Sequence, residues 1–154
     1  MTSLPPTTGP RARLHTLLNA PAFRAEGNPS DWPALFAELI LLTGDLLDEA
    51  DRAGQRIDFY KGVGVRGKLQ DITSLVSWFR TQLNPGGALA LSPALLTRLN
   101  RYQNEGNGYF ANGSFFASEF PGDVAFFLDD QRVYLDNQLR LAVEQAEARL
   151  ALVR

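Results

Sequence analysis

Between Asn104 and Asp130 the chain reads NEGNGYFANGSFFASEFPGDVAFFLDD, and six of its ten phenylalanines lie between Phe110 and Phe127. Glycines and asparagines at 104, 106, 107, 108, 112 and 113 let the backbone turn tightly there. Among and after them stand Tyr109, Phe110, Phe115, Phe116 and Phe120, each able to bury a large apolar area. Such rings are not left in water without cause, so the segment either folds back as a lid on the core or is a surface kept for a partner. Asn112-Gly113 suits a two-residue type I′ turn, which would make 109–117 a small hairpin within an aromatic loop at 106–120.

Elsewhere the apolar residues recur at helical spacing. Leu14, Leu17 and Leu18 mark a short N-terminal helix, stopped by Pro21. Ser30 or Asp31 can cap a helix over 31–53, with Pro33 in its first turn and Trp32, Leu35, Phe36, Leu39, Ile40, Leu46 and Leu47 along one face. Leu69, Ile72, Val76, Phe79 and Leu83 predict a helix over 67–83, ended by Asn84-Pro85-Gly86-Gly87. Ser92-Pro93 opens another over 93–105. Pro121-Gly122-Asp123 opens the longest, over 122–152, with Val124, Leu128, Leu135, Leu139, Ala142, Ala146 and Leu150 as its stripe. The expected fold is therefore all-α: an antiparallel bundle of four main helices, behind an extended arm at 1–10, with 11–154 as a single domain.

Composition narrows the functions available. The chain has 154 residues, 45% apolar and 21% charged, which suits one folded domain. A net charge of -2 disfavours a protein built to coat nucleic acid. With no cysteine and His15 as the only histidine, thiolate sites, Cys nucleophiles and multi-histidine metal sites within one chain are excluded. A Ser-based triad would have only His15 as its base, and no catalytic residue is assigned. No apolar run reaches the length of a membrane span and the N-terminus lacks the order of a secretory signal, so a cytoplasmic protein is expected.

Gly62-Val63-Gly64-Val65-Arg66-Gly67-Lys68 satisfies both GxGxxG and GxxxxGK ahead of the expected helix. Converging backbone N–H groups, a helix N-terminus and two cations make a plausible phosphate cradle from Gly62, Gly64, Arg66, Gly67 and Lys68. The segment resembles the phosphate loop of nucleotide hydrolases over about eight residues, but Leu69 stands where magnesium needs Ser or Thr. Arg132 falls inside the Leu128–Leu135 stripe of the last helix, where Asp129 and Asp136 would neutralise it locally. Asp45, Asp48, Glu49, Asp71, Asp129 and Asp130 raise the possibility of an all-helical carboxylate-metal hydrolase, although Asp45, Glu49 and Asp71 fall on polar faces.

The leading expectation is a non-enzymatic module for protein–protein contact or self-association. Tyr109, Phe110, Phe115, Phe116 and Phe120 would make the contact and Arg132 would orient it. No metal or cofactor is expected. The alternatives are phosphate-ligand or nucleic-acid binding by the glycine loop, and the metal hydrolase.

Overall fold

A computed structural model describes residues 9–26, 30–64, 66–84 and 91–153. Among them the helices are α1 (Gly9–Leu18), α2 (Trp32–Arg52), α3 (Ile72–Leu83), the single turn α4 (Pro93–Leu96) and α5 (Leu141–Leu152). The strands are β1 (Leu99–Gln103), β2 (Gly106–Tyr109), β3 (Phe115–Ser118), β4 (Val124–Leu128) and β5 (Gln131–Tyr134). The fold is thus mixed α and β, and the expectation of an all-α bundle is wrong. None of the described helices is long and apolar enough to cross a membrane. Gly9 and Pro10 of the expected arm already belong to α1; the rest of that arm, and the Pro85-Gly86-Gly87 stop signal, lie outside the described residues.

The helix expected over 31–53 is α2, its buried stripe running from Trp32 through Phe36, Leu39, Ile40 and Leu47 to Ala50. Asp31 stands at its N-cap without a side-chain capping bond. The helix expected from Gly67 starts only at Ile72, because two local structures compete with it. Arg66 and Leu69 exchange main-chain hydrogen bonds of 2.9 and 3.0 Å in a tight turn, with Gly67 at a φ of +58°. Then Asp71 accepts from the Ser74 N–H at 2.9 Å while the Ser74 hydroxyl accepts from the Asp71 N–H at 3.0 Å, a reciprocal cap that fixes the start.

Two expected helices fail for one reason. Val124-Ala125-Phe126-Phe127-Leu128 is an apolar run bounded by Gly122-Asp123 and Asp129-Asp130, and all five residues are buried. A helix over 122–152 would turn part of that run toward water, whereas a central strand covered on both faces buries it whole. Asp129, at a φ of +54°, turns the chain from β4 into β5. The helix expected over 93–105 stops after one turn, and Leu99–Gln103 pairs antiparallel with β4 from Leu99↔Leu128 to Gln103↔Val124. The resulting sheet has the order β1-β4-β5, and β2 with β3 forms a separate antiparallel pair.

The two faces of β4 build two cores. On one face Phe126 stacks on Phe36 at 4.1 Å, with Trp32 and Phe23 at 5.7 and 5.2 Å. This is the main core, shared with α1, α2, α3 and α5. On the other face Ala125, Phe127 and Tyr134 form a smaller cluster with Phe116.

Asp123 opens no helix where it stands, since β4 follows it, but it caps the last helix across space. Its buried carboxylate accepts main-chain N–H groups from Val124 at 2.7 Å, Asp136 at 2.8 Å and Asn137 at 3.0 Å, and the Asn137 amide at 2.8 Å. Residues 135–140 are π-helical and lead directly into α5. One carboxylate therefore holds the start of β4 against the first turn of the last helix. Asp123→Ala should lower the free energy of unfolding by about 3 kcal/mol and Asp123→Asn by roughly half that, since buried donors are left without acceptors. Urea denaturation followed by circular dichroism measures both; a loss below about 1 kcal/mol for alanine contradicts this role.

Candidate functional site

The chain leaving β1 bends sharply before β2. Asn104 takes a φ of +74°, donates its N–H to the Asp123 carbonyl at 2.8 Å and accepts the Gly122 N–H on its side chain at 2.9 Å. Beyond this corner the β2–β3 hairpin folds back over the outer face of the sheet, and its tip is held by the Asn112 amide donating to the Thr97 carbonyl at 2.9 Å. The turn is not type I′, because Asn112 is not in a left-handed conformation. Phe110 donates to the Ser114 carbonyl at 2.8 Å and Gly113 to Phe110 at 2.9 Å, with Gly113 alone at positive φ, +88°. That is a three-residue connection.

Strand alternation then divides the aromatic residues between two faces. Phe116 is 8% exposed and packs on Tyr102 at 4.4 Å and Phe110 at 4.5 Å, while Phe110 meets Phe127 at 5.2 Å. Phe120 lies half-buried against Tyr134 at 4.6 Å. Tyr109 and Phe115 face outward, 74% and 59% exposed, edge to face at 5.5 Å. Of the five rings expected to make a contact surface, two are exposed, two are half-buried and one is core. Tyr102, expected on the inner side of a helix over 93–105, instead reaches the inner cluster from β1, and Tyr134, not expected there from the sequence, completes it.

Gly106 and Gly108 lie close against the aromatic cluster. A Cβ at Gly106 would stand 2.3 Å from the Tyr102 hydroxyl, and one at Gly108 would stand 3.3 Å from the Phe116 ring.

Arg132 lies on β5 and not on a helix, so the expected local pairs with Asp129 and Asp136 do not form. Asp129 instead binds Arg98 at 2.9 Å, and Asp136 binds Arg24 and Arg140. The Arg98 guanidinium holds the Asp129 carboxyl below its ordinary range. Arg132 lies over the Tyr134 ring at 4.7 Å and donates from Nη1 to the Ala117 carbonyl at 2.6 Å, tying β5 to β3. Its Nε is buried without a hydrogen-bond partner, and no carboxylate pairs with it among the described residues. Burial in the same place raises the Tyr134 phenol above its ordinary value, and its oxygen accepts the Glu119 N–H at 3.0 Å.

A cleft of about 250 Å³ opens beside Arg132, lined also by Phe115, Ala117, Gly62, Gly64 and Asp130. The glycine loop and the aromatic hairpin, apart in sequence, therefore meet at one place. The loop's glycines have structural duties. Gly62, at a φ of +74°, leaves room for Gln138, whose amide donates to the Lys61 carbonyl at 2.9 Å and whose oxygen accepts the Tyr134 N–H at 2.9 Å. Arg66 pairs with Asp130 at 3.0 Å, and Lys68 is exposed. The N-terminus of α3 is taken by Asp71, and Arg56 binds that carboxylate through two bonds of 2.9 and 3.0 Å. Although burial works to raise Asp71, the bonds from Arg56 and Ser74 hold it below its ordinary range.

The acidic residues do not converge. Asp45 and Asp48 flank Arg80 at 3.0 and 2.5 Å, and Glu49 lies near Arg11 at 3.3 Å. No group of three or more His, Asp or Glu residues among the described residues is placed to hold a metal ion. His15 meets Glu147 of α5 at 2.8 Å on the surface. Comparison with family models, with curated proteins and with solved structures found no match to this chain.

The two cleft glycines separate cleanly by experiment. Gly62→Ala meets Gln138 at 3.0 Å in a left-handed conformation and should cost about 1–2 kcal/mol of stability. Gly64→Ala has open space within 4 Å and should stay within about 0.5 kcal/mol of the parent. Thermal or urea unfolding of the pair checks this; equal effects would contradict it.

Proposed function

We propose that this chain is a non-enzymatic protein–protein contact module whose contact surface is the outer face of the β2–β3 hairpin and the adjoining Arg132 cleft. The observation that carries it is the exposed Tyr109–Phe115 pair. The hairpin buries Phe116 and most of Phe110 beneath it, so its inner face already closes the sheet. Nothing in that closure needs two further rings on the opposite face. Large rings placed together in water on a rigid element mark a contact site.

Covering both rings would gain roughly 2–3 kcal/mol each by area. Association costs at least about 4 kcal/mol in lost freedom, so a stable contact needs more than these rings. The cleft beside Phe115 offers a half-buried guanidinium without a carboxylate partner; with Asp129 and Asp130 also lining the cleft, it suits a neutral hydrogen-bond acceptor on the partner, such as a carbonyl. The anion-cradle reading of the glycine loop has weaker support, because its helix terminus and Arg66 are already engaged by Asp71 and Asp130.

A photo-crosslinking phenylalanine placed at Tyr109 in the full chain, in its native cells, should give a discrete adduct. The same probe at exposed Leu152 should not. Phe115→Ser should reduce the Tyr109 adduct about tenfold, the effect of losing 1.4 kcal/mol of binding. Absence of any adduct at Tyr109, or equal adducts at both positions, overturns the proposal.

A further inference from the structure

We infer that the free edge of β2, which borders this surface, takes a second copy of the chain in antiparallel register about a two-fold axis at Gly108. The inference goes beyond the contact surface proposed above: it uses the main-chain edge of the same hairpin and leaves the rings of both copies on one shared face.

The hydrogen bond from Phe110 to the Ser114 carbonyl fixes the parity of the hairpin. With the register Gly108↔Phe116 and Gly106↔Ser118, those pairs exchange main-chain bonds, and Asn107↔Ala117 and Tyr109↔Phe115 do not. The main-chain groups of Ala117 thus point away from β2, and those of Asn107 and Tyr109 point away from β3. The β3 side is partly occupied: the Ala117 carbonyl accepts from Arg132 and the outward N–H of Glu119 donates to the Tyr134 hydroxyl, which leaves the Phe115 main chain and the Ala117 N–H as its unbonded groups among the described residues. The β2 side is open. Among the described residues nothing bonds the N–H or carbonyl of Asn107 or Tyr109, and both residues are exposed.

Edge strands are ordinarily guarded by lysine, proline, a bulge or a covering element. Gly106-Asn107-Gly108-Tyr109 carries neither lysine nor proline and no charge. An unguarded edge beside an exposed aromatic pair is a template for strand addition.

A second copy fits this edge by symmetry. Rotation about Gly108 sets Asn107 opposite Tyr109 of the second copy, and Tyr109 opposite its Asn107. Each of these pairs can exchange two main-chain bonds. Gly108 meets its own equivalent at the close, non-hydrogen-bonded spacing, where the absence of a side chain removes any clash. Glu105 falls opposite Ala111 of the second copy, so the register opposes no like charges. The product is one antiparallel sheet, β3-β2 continued by β2 and β3 of the second copy, with the Tyr109 and Phe115 rings of both on a single face.

Light scattering on the full chain, from micromolar to submillimolar concentration, should show the mass rising from 17.0 kDa toward twice that value. Asn107→Pro removes an outward N–H while leaving the bonds between β2 and β3, so it should stay monomeric with an unchanged circular dichroism spectrum. Should proline unfold the chain, charges decide. Asn107→Glu with Tyr109→Glu sets like charges opposite each other and should weaken the dimer by about tenfold or more. Asn107→Glu with Tyr109→Lys sets opposite charges there and should restore it. A parent chain that stays monomeric throughout overturns the inference, and so does a dimer indifferent to these substitutions. In either case a Tyr109 crosslink to a different protein would leave the contact surface standing, whereas no crosslink would remove that too.

Discussion

β4 is buried on both faces, and the rest of the molecule is arranged to make that true. Phe126 lies on Phe36 at 4.1 Å on the helix side, and the next residue, Phe127, points the opposite way. Leaving either ring in water would forfeit roughly 1.5–3 kcal/mol, a large fraction of a domain's net stability. Helices α1, α2, α3 and α5 supply one cover, and the β2–β3 hairpin supplies the other. The corner at Asn104 and the Asn112 latch on Thr97 are the local devices that bring the hairpin back.

Function follows from the same alternation. A two-stranded hairpin has two faces, and closing the sheet uses one of them. Tyr109 and Phe115 are on the other. Arg132 belongs to both structures: its guanidinium holds the hairpin edge at Ala117 and also lines the cleft beside Phe115. Arg132 and Tyr134 occupy part of the β3 edge, whereas no side chain among the described residues bonds the outward groups of β2.

Helices with a single sustained period were legible in the sequence, as Trp32 through Ala50 and Ile72 through Leu83 show. The small hairpin and the aromatic excess were legible too, although not the turn type. The strands were not, because Val124, Leu128 and Leu135 satisfy a helical stripe as well as they satisfy two strands and a turn. A run of five apolar residues between Asp123 and Asp129 was the competing signal, and only tertiary cover decides between the two. That one misreading also displaced Arg132 and its expected carboxylate partners. The five aromatic residues were grouped as one surface because their division depends on strand parity and on the corner at Asn104. The duty of Gly62 to Gln138, distant in sequence, was not legible.

The two-sided burial of β4 is tested most directly by nuclear magnetic resonance of the aromatic rings with a soluble paramagnetic agent. Ring protons of Phe116 and Phe127 should be protected and show cross-relaxation to Tyr102 and Phe110, while those of neighbouring Phe115 and of Tyr109 broaden strongly. Equal broadening of Phe115 and Phe116, without contacts from Phe116 to Tyr102, would contradict the folded-back hairpin and the surface built on it.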